Sequence, residues 1–178
     1  MTKLNLRSLV RPKKYRSYKG TVGKIAPNLL ERNFIAQRPN QKWVTDVTEF
    51  KVAEQKVYLS PVMDLYNGEI VAYEVAGRPK LELVTNMLDK AFERLGGSPK
   101  LVLHSDQGWH YQHARYRHKL IERGLKQSMS RKGNCLDNAA MESFFGTLKS
   151  EFFHLRRFGS VAEMKAGLDE YINYYNHD

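Results

Sequence analysis

Three consecutive segments of the chain are rich in β-branched and aromatic residues and are joined by very short turns. They cover residues 43–52, 57–65 and 69–76, and the second turn contains the pair Asn67-Gly68, which is typical of tight hairpins. A connection of a few residues cannot bring a strand back parallel to the one before it, so these strands must be antiparallel. This feature constrains the fold most strongly, because it predicts a three-stranded meander.

Helices and strands alternate after the meander. The predicted helices cover residues 81–95, 113–123, 137–151 and 161–176, and the strands between them cover 100–106 and 125–130. A strand that is reached through a helix usually lies parallel to its neighbour in the sheet. The sequence therefore predicts an α/β protein with a mixed five-stranded sheet, three antiparallel strands and then parallel strands, flanked by helices.

The helix predicted over 137–151 carries an acid on its polar face. Asp137 or Asn138 is predicted to cap the helix, since either side chain can accept a hydrogen bond from a free N–H of the first turn. An apolar stripe recurs every four residues: Ala140, Phe144, Leu148 and Phe152. Glu142 and Lys149 share another face with Asn138, because steps of four and seven residues return to nearly the same direction. A Glu and a Lys on one helix face are usually a solvated surface, so this face gains meaning only from other acids.

Length and composition predict one core with an appendage. A chain of 178 residues with 42% hydrophobic residues is long enough for one ordinary core and short for two. The predicted units are a basic extended arm or linker over 1–41 and a core over 42–178. The sequence holds neither an apolar run long enough to span a membrane nor the apolar start of a signal peptide, so we expect a cytoplasmic protein with no membrane contact. The single cysteine, Cys135, excludes an internal disulfide.

The positive charge is concentrated at the start of the chain. Residues 1–42 contain eleven Lys and Arg against one acid, and the remainder contains eighteen of each sign. We expect the arm to become ordered only against a partner, with its cations on nucleic-acid phosphates and its tyrosines stacked on bases or sugars. The candidate phosphate contacts are Lys13, Lys14, Arg16 and Lys19.

Three acids are candidates for a metal centre. Asp46 lies within the first predicted strand, where an acid needs a partner, Asp106 ends the fourth strand, and Glu142 begins the helix after the fifth. If the first and fourth strands are neighbours, the three carboxylates converge and repel one another unless a cation neutralises them. Hard oxygen ligands suit Mg²⁺ or Mn²⁺, and two ions about 4 Å apart would favour phosphodiester displacement.

Three blocks of sequence around these acids resemble one family. The blocks are 43–48, 104–108 with Tyr111, and 130–134 leading into 137–145. Asp106 and Glu142 are separated by 35 residues. The chain resembles insertion-sequence transposases of the orfB type, whose catalytic domain is akin to retroviral integrase, with an RNase H-like fold and an Asp, Asp, Glu (DDE) pattern. The resemblance extends from about residue 13 to the end of the chain.

The resemblance implies metal-dependent cleavage at DNA 3′ ends followed by strand transfer into target DNA. Asp46 and Asp106 would share the metal ions and Glu142 would complete the site. The DNA contacts that it implies, apart from those of the arm, are Lys149, Asn138, Arg131, Lys132 and His104. His104 could instead support the site. The resemblance also implies a bacterial, nucleoid-associated enzyme that is a homo-oligomer when active.

The sequence departs from the family pattern at both ends. No helix-turn-helix precedes the core, so we expect DNA recognition to come from an upstream partner or a fused frame, and relatives continue beyond residue 178 with a short basic segment. Two other functions stay open: an RNase H-like metal nuclease without joining activity, and an inactive DNA-binding remnant of a transposase. The histidines lack the cysteine partners and the spacing of a closed zinc site.

Overall fold

The computed structural model describes residues 23–96, 100–132 and 135–177. The strands of its single mixed sheet are β1 (Lys42–Thr45), β2 (Thr48–Val52), β3 (Gln55–Asp64), β4 (Ile70–Ala76), β5 (Val102–Ser105) and β6 (Lys126–Met129). β3 pairs with β4 on one side and with β1 and β2 on the other, and β5 and then β6 follow beyond β1. The first four strands pair antiparallel, whereas β5 pairs parallel with both β1 and β6. The predicted meander followed by parallel strands is confirmed.

The sheet has one strand more than predicted because the first strand is interrupted. β1 and β2 pair with β3 in the same register, Thr45 with Val62 and Thr48 with Leu59, so the intervening Asp46 lies opposite Pro61. Proline has no N–H with which to continue a ladder of hydrogen bonds. The Pro61 carbonyl instead accepts a hydrogen bond of 2.7 Å from Thr45 Oγ1. The ladder therefore opens at Asp46.

The helices are α1 (Leu81–Glu93), α2 (Trp109–Gln112), α3 (Ala114–Glu122), α4 (Ala139–Thr147) and α5 (Val161–His177). The one-turn helix α2 was not predicted, because four residues are too few to show a helical period. The helix predicted over 137–151 changes pitch twice: a 3₁₀ turn, Cys135–Asn138, precedes α4, and a π-helical segment, Leu148–Phe153, follows it. Its predicted stripe faces inward, since Phe144, Leu148 and Phe152 are buried.

Apolar side chains cover both faces of the sheet. One cluster packs α4, the π-helical segment and α5 against the sheet, with Phe50 and Leu59 among the buried strand residues. The second cluster packs α1 and α3 against the opposite face around Trp43, which is fully buried. The sheet is therefore fixed between two helical layers, and its strand ends are held in place. Among the described residues no helix has the length and apolar character needed to cross a bilayer.

Residues 26–33, which we call the strap, lie against the edge of the sheet. The Pro27 carbonyl accepts a hydrogen bond of 3.3 Å from Met129 N in the edge strand β6, and Leu30 is only 2% exposed. Lys42 Nζ donates to the Asn33 carbonyl at 2.7 Å. The expectation that residues 1–41 become ordered only against a partner is wrong for the strap, because burial of Leu30 and pairing at a sheet edge stabilise it on the core.

Candidate active site

Asp46 and Asp106 lie at matching positions on neighbouring parallel strands. Asp46 follows the last residue of β1, Asp106 follows the last residue of β5, and Val44 pairs with His104 two residues earlier. Neighbouring strands of a sheet are about 4.8 Å apart, so the two carboxylates lie close together at the carboxyl ends of β1 and β5. The ends of parallel strands are where α/β sheets place their ligands.

Short hydrogen bonds orient the two aspartates. Asp46 Oδ1 accepts from Val47 N at 2.7 Å, and Asp46 Oδ2 accepts from Asn138 Nδ2 at 3.2 Å. Asp106 Oδ1 accepts from Gly108 N at 2.8 Å. A Cβ atom at position 108 would lie 2.9 Å from Asp106 Oδ1, which is closer than such atoms approach in folded proteins. Glycine at this position therefore allows the turn to close on the Asp106 carboxylate.

The surroundings of Asp106 make its negative charge costly. Burial raises the pKa of the Asp106 carboxyl, against the opposing effects of the Gly108 N–H and of His110. The pKa of the buried Tyr111 hydroxyl is also raised, first by burial and then by the charges on Asp46 and Asp106. Both carboxylates are thus close enough to affect the Tyr111 hydroxyl. A cation bound at these strand ends would relieve the repulsion between the two carboxylates.

Glu142 reaches this part of the molecule through α4. It lies in the first turn of the helix, one turn beyond Asn138, whose side chain contacts Asp46. Glu142 has a largely exposed side chain. The protein atoms around its carboxyl still remove enough water to raise its pKa. Within the described parts of the chain, no group of three His, Cys, Asp or Glu side chains is arranged to hold a metal ion. The structure brings the two aspartates to the same end of neighbouring strands and puts Glu142 one turn of α4 beyond Asn138, without closing the three into one cluster.

Neither predicted cap closes the start of α4. Asn138 makes no side-chain capping bond: its Nδ2 donates to Asp46, and this orientation leaves Oδ1, the atom that would cap, buried without a hydrogen-bond partner among the described residues. The carboxylate of Asp137 accepts hydrogen bonds from Arg131, Arg32 and Asn28. The capping prediction was wrong because both side chains are engaged by tertiary partners, which sequence spacing does not reveal.

His104 is fully buried. Its Nδ1 lies 2.8 Å from Ser128 Oγ and its Nε2 lies 2.8 Å from the Asp137 carbonyl oxygen. Burial lowers the pKa of the imidazole. Of the two roles considered from sequence, contact with DNA and support of the site, this geometry favours support.

The other predicted DNA contacts lie at different places. Lys149 Nζ donates to Thr48 Oγ1 at 2.5 Å and lies above the ring of Phe50. Arg131 and Lys132 are exposed in the loop before the 3₁₀ turn, and Arg131 pairs with Asp137. The arm candidates Lys13, Lys14, Arg16 and Lys19 lie outside the described residues.

Sequence reasoning missed two residues that support the site from outside it. Asp137 was considered only as a helix cap, although it links the strap, the loop and α4. Ser128 was not singled out, although a serine within a predicted buried strand needs a hydrogen-bond partner and so indicates a polar network.

Comparisons with known proteins show the family of the chain. A family model described as an integrase core domain matches residues 36–135, and a second model with the same description matches residues 142–178. The protein designated as InsK transposase of insertion sequence element IS150 from Escherichia coli K12 is 57% identical over 99% of this chain, which spans 62% of that relative's length. An uncharacterized transposase-like protein of Haemophilus influenzae is 54% identical over 98% of the chain, which covers 81% of its length.

Solved structures show the same fold. A simian T-cell lymphotropic virus intasome matches 86% of this chain and 53% of its own chain, with a TM-score of 0.62 and 20% identity. The HTLV-2 integrase catalytic core domain, in a structure with magnesium, matches 64% of this chain and 70% of its own, with a TM-score of 0.53 and 19% identity. The predicted α/β fold of the RNase H-like type is confirmed.

Proposed function

The chain belongs to the integrase core domain family, and from that premise we propose that it is the catalytic core of a transposase that cuts DNA at the 3′ ends of a mobile element and joins those ends to target DNA. The observation that carries this proposal is the pair Asp46 and Asp106 at matching ends of parallel strands. The link from Asp46 through Asn138 to the Glu142 helix supports it.

The acids fit Mg²⁺ or Mn²⁺ by their chemistry. Carboxylate oxygens are the ligands that these hard cations prefer, and burial raises the pKa of Asp106 and of the neighbouring Tyr111, so a bound cation would stabilise the charged carboxylates. Asp46 and Asp106 would hold the metal, with Glu142 completing a second position. Two bound ions would activate the attacking oxygen and stabilise the leaving oxygen of the phosphodiester.

The remaining residues would orient the DNA. Lys149, which lies above Phe50 and donates to Thr48, would contact a phosphate of the bound DNA. Asn138 keeps one Asp46 oxygen oriented, and Lys132 and Arg131, whose guanidinium also pairs with Asp137, would contact the DNA from the loop before α4. The attacking group is water in the cleavage step and the freed 3′ hydroxyl in the joining step. Positioning and charge stabilisation together account for the chemistry.

The proposed partners are DNA and further copies of the chain. The substrates are the element ends and the target duplex, the active form is a homo-oligomer, and a helix-turn-helix module upstream or on a partner supplies recognition. The HTLV-2 integrase core has been described in dimeric and trimeric forms, which supports the oligomer. We place the protein in the bacterial cytoplasm at the nucleoid.

The test is an assay of cleavage and joining with a labelled DNA end, in Mg²⁺ and in Mn²⁺. The variants are Asp46→Asn, Asp106→Asn and Glu142→Gln, which remove one charge each at nearly constant volume. We expect each to lower both activities by about a thousandfold or more, since residues that act as one unit fail together. Glu82→Gln is the matched control, because Glu82 lies in the first turn of α1 as Glu142 does in α4.

Each other outcome contradicts part of the proposal. Cleavage without joining would indicate an RNase H-like nuclease. Intact DNA binding with neither activity, in the wild-type chain, would indicate an inactive remnant. A Glu142→Gln variant that matched Glu82→Gln would remove Glu142 from the site.

A further inference from the structure

Asp137 lies at the centre of a buried cluster outside the proposed metal centre. Its side chain is 0% exposed. Arg131 donates to it from its backbone N–H at 3.0 Å, from Nε at 2.9 Å and from Nη2 at 2.9 Å. Two strap residues reach the same carboxylate, Arg32 through Nε and Asn28 through Nδ2, both at 3.1 Å. The Arg131 guanidinium is the largest influence that holds the pKa of the Asp137 carboxyl below its usual range.

A second chain of hydrogen bonds joins the strap to the same residue. The Leu29 N–H donates to Ser128 Oγ at 2.8 Å, Ser128 Oγ lies 2.8 Å from His104 Nδ1, and His104 Nε2 lies 2.8 Å from the Asp137 carbonyl oxygen. A carbonyl can only accept, so His104 donates from Nε2, and Nδ1 accepts the Ser128 hydroxyl proton. Every group in this chain has a partner, which makes it a rigid connection.

Both sets of bonds end at the start of the Glu142 helix. Asn138, the residue after Asp137, donates to Asp46, and Glu142 lies one turn further along α4. The position of Asp137 therefore affects the contact between α4 and Asp46 and the place of Glu142. The sheet fixes the backbone at Asp46 and Asp106, so the cluster acts on Asp46 only through the Asn138 contact.

We propose that the strap positions the Glu142 helix through Asp137, with Arg32 and Asp137 as positioning residues for strand transfer. The inference rests on the proposed function. It adds the strap, which precedes β1 in the chain, to the parts of the molecule that strand transfer requires. Removing the Arg32 guanidinium would leave the fold intact, because that side chain is 47% exposed, but would loosen the start of α4.

The experiment compares full-length Arg32→Ala with Arg38→Ala, since Arg38 is an exposed arginine near the strap that makes no bond to Asp137. Two quantities are measured: amide hydrogen exchange across residues 137–147 without DNA, and kcat and KM for joining. We expect Arg32→Ala to speed exchange across 137–147 and to lower kcat about tenfold with KM unchanged, as loss of a supporting contact does. Arg32→Lys should recover part of kcat, and Arg38→Ala should match wild type.

Several results would overturn the inference. Exchange across 137–147 that is the same in Arg32→Ala and Arg38→Ala would do so whether or not the wild-type chain joins DNA, which keeps this test separate from that of the proposed function. A raised KM with unchanged kcat would make Arg32 a DNA contact. A fall in kcat accompanied by loss of the thermal transition would make its role one of overall stability.

Discussion

The two aspartates and the glutamate of the proposed site are held by different kinds of interaction. Asp46 and Asp106 extend directly from neighbouring strands packed between two helical layers. Glu142 extends from a helix whose start is fixed by side-chain hydrogen bonds through Asn138 and Asp137. The site therefore has two halves. The sheet half, Asp46 and Asp106, is built into the strands, whereas the helix half, Glu142, depends on polar contacts that single substitutions can remove.

Neither half carries the excess positive charge, which lies in the arm. Replacing Lys13, Lys14, Arg16 and Lys19 by Gln should reduce the slope of log affinity against log salt by about three to four units, because each neutralised phosphate contributes about 0.9. Binding titrations between low and moderate salt measure the slope. The same change at four exposed core cations, Lys80, Arg115, Lys126 and Lys165, is the control, and equal slopes for the two variants would refute the role of the arm.

The half that belongs to the sheet can be disturbed through Gly108. A methyl group there would meet Asp106 Oδ1 at 2.9 Å and the Tyr111 ring at 3.3 Å, so the carboxylate must move. We expect Gly108→Ala to lower the rate of joining about tenfold to a hundredfold. Gly96→Ala is the control, since no atom of the described residues would lie within 4 Å of the added methyl group. A rate for Gly108→Ala equal to that of the control would mean that the turn can relax without moving Asp106.

The half that belongs to the helix can be disturbed through Asp137. Asp137→Asn should lower the free energy of unfolding by about 2 kcal/mol at pH 7, because buried hydrogen bonds to guanidinium groups are lost. The folded-state pKa of Asp137 is lowered, so its stabilisation is present above the unfolded value of about 3.9 and is lost as the pH falls through the folded value. Denaturant unfolding should therefore show the two proteins converging below about pH 4.

The control for this substitution is Asp89→Asn. Asp89 accepts a hydrogen bond from Lys119 in an exposed pair, which contributes at most about 0.5 kcal/mol. If the effects of Asp137→Asn and Asp89→Asn were equal, the cluster around Asp137 would have no special part in stability.

The smallest expected effect is on stability, and it distinguishes Asp106 in the sheet from Glu142 in the helix without any DNA. Burial raises the pKa of Asp106, so its charged form opposes folding, and the stabilising effect of protonation is lost as the pH rises above about 4. Asp106→Asn should therefore raise the free energy of unfolding at pH 7 in EDTA. Glu142→Gln should change it less, because Glu142 is exposed. Thermal unfolding measures both, and a destabilised Asp106→Asn would show that the Gly108 and His110 contacts outweigh burial.

Local patterns were sufficient for much of the architecture. Short turns determined the antiparallel meander, helical spacing determined α1, α3 and α5, and the three acid blocks indicated the family. These features depend on neighbours a few residues apart, whose influence on backbone conformation is visible in one sequence. The stripe of α4 was predictable for the same reason. The roles of the three acids stay predictions until the assay is made.

Tertiary structure alone decided how the site is held together. The gap in the first strand arises because Pro61 lies opposite Asp46. The start of α4 is fixed at Asp137, which Arg32 contacts directly and which Ser128 contacts through His104. Pro61 lies 15 residues from Asp46, Arg32 lies 105 residues from Asp137, and Ser128 lies 24 residues from His104. Hydrogen bonds of this kind are chosen by burial and by the packing of the sheet, because a buried polar group must find whichever partner folding places beside it. Sequence spacing carries no record of that choice.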